Sequence, residues 1–150
     1  MNKPSSTQIA LLAGRIIVGV FYLFYAAQQF IWLDFWTGYA ASKGVPLPQL
    51  AVIGGGLMLV LAGLSLISGI QPRLGVAAAV LFLVPVSLFM HNFWAVQGLE
   101  QTIELAGFTK NMALLGSALM FLAIPEPWAY RLNMLRSTQS IAATPAMPAK

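Results

Sequence analysis

Few residues in this 150-residue chain have side chains suited to chemistry, and they fall in three places. Gln28 and Gln29 interrupt one apolar run, His91-Asn92-Phe93-Trp94 ends another, and Lys110-Asn111 opens a third. His91 is the single histidine, and with it the single side chain that exchanges a proton near neutral pH without a perturbed environment. Lys110 supplies a cation, Asn92, Asn111 and the glutamines supply amides, and Trp94 supplies a ring with one N–H donor. Donors of that kind, brought together beside apolar walls, hold a polar or anionic head group. The same residues at separate helix ends would meet only lipid headgroups and water. Glu100 and Glu104, four residues apart, share one helical face and can pair with Lys110, or stay solvated in a loop.

Four apolar stretches must position these groups. Charged residues make up 8% of the chain, hydrophobic ones 59%, and the mean hydropathy is +0.79. A soluble domain carries about a quarter charged residues, so lipid is the expected solvent. The net charge of +4 reads as membrane orientation rather than as attraction to nucleic acid. Cysteine is absent, which leaves no thiolates for an iron-sulfur cluster or a metal, and one histidine cannot supply both axial ligands of a haem. Any redox role therefore needs a partner protein or a diffusible cofactor.

The expected fold is an all-α membrane protein: a four-helix, up-down-up-down transmembrane bundle with a short interfacial helix after the first span. The spans are expected at about 9–32, 49–70, 74–92 and 108–124, within one domain over 9–136. Residues 1–8 form a tail, and 137–150 a second tail expected to be disordered. Aromatics at 32, 35, 36 and 39 give the interfacial helix one apolar face. In the second span Gly55, Ala62 and Gly69 recur at seven, as do Gly56 and Gly63, which suits close helix packing in lipid. Pro85 is expected to kink the third span. Arg15, early in the first span, is expected either to snorkel to the near interface or to form an internal ion pair. This topology puts Lys3, Arg15, Arg73, Arg131 and Arg136 on one side and Lys43 and Lys110 on the other, so both termini are expected to be cytoplasmic. Gln28, His91, Asn92, Trp94, Lys110 and Asn111 then gather at the outer interface as a candidate cofactor-binding cluster.

Several of these segments also carry a family likeness. Gly44-Val45-Pro46, Pro72-Arg73, His91, Arg15, and above all Phe108-Thr109-Lys110-Asn111 followed by Ala113-Leu114-Leu115-Gly116 resemble the DoxX family of small four-span membrane proteins, over roughly 11–131. Two positions depart from the family pattern. Leu59 stands where many relatives carry a glutamate, and Gln29 where many carry a lysine. The resemblance implies an accessory subunit of a quinone-linked redox complex in a bacterial-type inner membrane, working with a partner redox protein or as a homo-oligomer in the lipid bilayer. A quinone needs donors at its carbonyl oxygens, a proton-exchanging group and aromatic or apolar walls, which His91, Asn92, Trp94, Lys110, Asn111 and Gln28 can supply. Two other classes remain open: a structural or assembly partner with no small-molecule site, and a small-solute carrier. Polar groups at a helix end, rather than in broken helices at mid-membrane, count against the carrier.

Overall fold

The structure, a computed structural model, describes residues 5–132. It comprises α1 (Ser6–Ile31), α2 (Leu33–Ser42), α3 (Pro48–Ser68), α4 (Pro72–Phe89), a single 3-10 turn (Phe93–Ala95) and α5 (Gly98–Leu122), with no strand among the described residues. The expected disordered tail at 137–150 lies outside them. Four helical stretches are long and apolar enough to cross a membrane: Ser6–Ile31, Pro48–Ser68, Pro72–Ala95 and Gly98–Leu122.

Local chemistry accounts for the helix ends. Ser5 caps α1, its hydroxyl accepting from the Gln8 N–H while the Gln8 side chain accepts from the Ser5 N–H, so two otherwise orphaned donors are satisfied. Proline stands at the first turn of α3 and of α4, where a missing N–H costs nothing. Gly69 ends α3 with φ of 70°, a left-handed cap.

In the packing, α3 lies against α1, α2 and α4, and α4 lies against α5. The small residues of α3 explain its central place. Gly55, Gly56, Ala62 and Gly63 are buried, and Gly63 meets Gly19 of α1 so closely that a Cβ on Gly63 would sit 2.8 Å from the Gly19 carbonyl oxygen. Apolarity cannot hold helices together in lipid, so backbone approach of this kind supplies the contact. The core between the helices holds Tyr22, Leu59, Leu66, Val76 and Leu83, while Ile17, Leu57, Leu81 and Met120 face outward.

Three expectations are corrected. Arg15 neither snorkels nor pairs with a carboxylate: it is fully buried, and its guanidinium donates to the carbonyl oxygens of Ala129 (2.9 Å) and Tyr130 (2.7 Å) beneath the Trp128 ring. Main-chain carbonyl dipoles do here what a counter-ion was expected to do. The loop expected before 108 is helical from Gly98, because the charge that marked it as a loop, Glu104, is neutralised inside the fold. His91 and Asn92 lie just beyond α4, which ends at Phe89, and so belong to the link rather than to the helix.

Candidate functional site

Glu104 is the point at which three segments meet. Its side chain is 5% exposed, and its Oε1 accepts from Lys43 Nζ at 2.7 Å and from the Tyr39 hydroxyl at 3.0 Å. Its Oε2 lies 2.9 Å from Nδ1 of His91. Lys43 also lies 3.6 Å from the exposed carboxylate of Glu100. A buried carboxylate is tolerated when it is paired and its lone pairs are filled, and three contacts, from Tyr39 of α2, from Lys43 just beyond α2 and from the link after α4, achieve that. The hydrogen bond with Glu104 raises the Lys43 pKa above the ordinary 10.5. Burial, then the hydrogen bond and charge of Glu104, raise that of Tyr39 above 10.0. Glu104 thus pairs with Lys43 and His91, and the Lys110 pairing weighed from sequence does not form.

Beside this cluster lies a cavity of about 470 Å³. Its walls are mostly aromatic and aliphatic: Phe21, Tyr22 and Tyr25 of α1, Trp36 and Tyr39 of α2, Met58 and Leu59 of α3, Phe82, Pro85 and Phe89 of α4, and Leu114 of α5. Gln29, His91, Lys110 and Asn111 add the polar part. Four of these lining residues carry a buried polar atom with no hydrogen-bond partner among the described residues: the Tyr22 hydroxyl, Gln29 Oε1, Trp36 Nε1 and Asn111 Nδ2. An orphaned buried donor or acceptor costs about 1–3 kcal/mol, so four of them around one cavity call for an explanation. Lys110 reaches over the Tyr25 ring, with Nζ 5.2 Å from its centroid.

The six residues singled out from sequence divide evenly. His91, Lys110 and Asn111 line the cavity. Gln28, Asn92 and Trp94 are not among its lining residues: Gln28 is half-buried in α1, Asn92 precedes the 3-10 turn, and Trp94 packs edge-on against Phe93 and Phe108 while remaining largely exposed. Tyr22, Gln29, Trp36, Tyr39, Lys43 and Glu104 complete the site. Of these, Gln29 was already marked with Gln28 as a break in an apolar run, and Glu104 and Lys43 had a visible signal as rare charges in a chain with so few.

Comparison with known proteins follows the same lines. The sequence profile of the DoxX family matches residues 10–92. Inner membrane protein YphA of Escherichia coli (strain K12) is 27% identical over 125 residues, covering 83% of this chain and 89% of that protein. No solved structure matches. Four apolar helices and an inner-membrane relative make this a multi-pass inner membrane protein. The profile match covers more than half of its length, and the chain belongs to the DoxX family.

Proposed function

We propose that this protein is an accessory subunit of a quinone-linked membrane redox complex, and that its cavity holds the quinone ring. The observation that carries the reading is the set of orphaned polar atoms around a mostly apolar cavity. At about 470 Å³ the cavity falls within the range of small-molecule sites, which are typically apolar with a few placed polar groups. Trp36 Nε1, Asn111 Nδ2, the Tyr22 hydroxyl and the Lys110 ammonium are donors, and a quinone offers two carbonyl acceptors on a flat apolar ring. Leu59 and Gln29, the two departures from the family pattern, both line the cavity and contribute no charge, which suits a neutral ring rather than an ion. With no cysteine in the chain, electrons reach a bound quinone from a partner redox protein.

The test compares wild type with His91→Ala and Lys110→Ala for protection against thermal aggregation by a short-chain quinone. Removing one donor from a partly desolvated site should weaken binding by about 1–3 kcal/mol. Full protection in both variants would reject the site. Loss of the fold in both would favour a structural or assembly role, in which the Glu104 cluster only ties segments together. Purification in mild detergent, with identification of any companion chain, tests the partner.

A further inference from the structure

We propose that Glu104 fixes His91 as a hydrogen-bond acceptor, so that the site prefers the reduced, hydroxyl-bearing form of the quinone couple. This rests on the reading above that the cavity takes a quinone-type ring. Lys43 Nζ and the Tyr39 hydroxyl both lie on Oε1 of Glu104, at 2.7 and 3.0 Å, and Oε2 faces Nδ1 of His91 at 2.9 Å. An ionised carboxylate only accepts hydrogen bonds, so the proton in the last contact belongs to Nδ1. Lys43 bonds the same carboxylate at 2.7 Å, and a neutral imidazole donating from Nδ1 completes its set of hydrogen bonds. A neutral imidazole has one N–H, and with Nδ1 protonated Nε2 carries a bare lone pair.

A second residue of α5, Gly107, meets the same edge of the ring. A Cβ on Gly107 would collide with Nδ1, Cε1 and Cγ of His91, so that edge of the ring is pressed against the backbone of α5, and a larger residue there must displace the ring. Nε2 lies on the opposite edge, has no hydrogen-bond partner among the described residues, and belongs to a side chain that is 23% exposed and lines the cavity. The other charged or titratable groups at this end are Glu100 and Lys110 on α5, Asp34 and Tyr39 on α2 with Lys43 just beyond it, and Tyr22 and Tyr25 on α1, and α4 brings none. Gln29 Oε1 is a second acceptor without a partner. A quinol offers two hydroxyl donors to such acceptors, whereas a quinone offers none. The oxidised form relies on the donors Trp36, Asn111, Lys110 and the Tyr22 hydroxyl and leaves both acceptors unmet.

The single histidine makes the test direct, because protein labelled with ¹⁵N-histidine gives one imidazole signal pair in detergent micelles. At about pH 8 the ¹⁵N shifts should report an Nδ1–H tautomer. An Nε2–H tautomer would overturn the proposal. A decyl-tailed benzoquinol kept anaerobic should then shift the Nε2 resonance and bind roughly fivefold more tightly than the matching quinone, the scale of one net hydrogen bond. Glu104→Gln should erase that preference. Should this variant fail to fold, the wild-type tautomer and the wild-type quinol-to-quinone ratio still decide the matter. Equal binding of both forms would overturn the preference and leave the quinone site standing. No binding of either form would sink both.

Discussion

A lone carboxylate at Glu104 carries more of this fold than its share of the sequence suggests. Removing it as Glu104→Ala leaves Lys43, whose side chain is only 12% exposed, beside a vacated space with only the exposed Glu100 carboxylate 3.6 Å away. Breaking a buried pair from one side costs about 3–5 kcal/mol, so unfolding by sodium dodecyl sulfate titration in mixed micelles should show a loss on that scale, with Glu104→Gln milder because its oxygen still accepts. The pH dependence has a definite sign. Glu104 raises the folded-state pKa of Lys43 above 10.5, so the stabilisation is complete below that value and is lost as pH rises through the raised one. The stability difference between wild type and Lys43→Met should accordingly stay constant between about pH 6 and pH 9, and a difference that collapses within that window would contradict the pairing. Gly107→Ala separates site from fold differently. Its new methyl displaces the His91 ring, and it should lose ligand protection while α5 stays helical by circular dichroism.

At the scale of helices, the glycines of α3 divide into two kinds, and the division predicts opposite outcomes. A Cβ on Gly63 would lie 2.7 Å from Leu23 Cγ and 2.8 Å from the Gly19 carbonyl oxygen, and a backbone atom cannot swing aside. Gly63→Ala should push α1 and α3 apart and cost about 1–3 kcal/mol in the same micelle titration. Gly54, on the same helix, has nothing within 4 Å of its virtual Cβ, so Gly54→Ala should be neutral or stabilise by up to about 1 kcal/mol through helix propensity. The close-packing role of Gly56 and Gly63 was legible in sequence, because their seven-residue spacing puts them on one face. The spans were legible for the same kind of reason: length and apolar content are local properties. Glu104 was not. Its partners Lys43 and Tyr39 lie 61 and 65 residues away, and no periodicity encodes such a meeting. His91, Lys110 and Asn111 could be grouped by helix end alone, but which glutamine joined them depended on the rotation of α1, which chose Gln29 over Gln28.

For the whole molecule, the orientation expected from basic residues remains a prediction. Lys3, Arg15, Arg73, Arg131 and Arg136 stand against Lys43 and Lys110, so a periplasmic reporter fused after Lys150 should be inactive, and an active one would reverse the assignment. Arg15 adds a constraint of another kind. It leaves the ribosome more than a hundred residues before Ala129 and Tyr130, whose carbonyls are its polar partners. During synthesis the first helix must therefore enter the membrane with an unclothed cation, kept near the headgroups or by the insertion machinery, until the last described segment arrives to cover it. Completion of the chain becomes the step that lets α1 settle at its final depth. A chain stopped at Trp128 has all four apolar helices and still lacks those two carbonyls, so the cell's membrane proteases should clear it faster than the full-length protein in a pulse-chase experiment. Arg15→Met in the same truncated chain should restore its lifetime, because the uncovered charge is then gone.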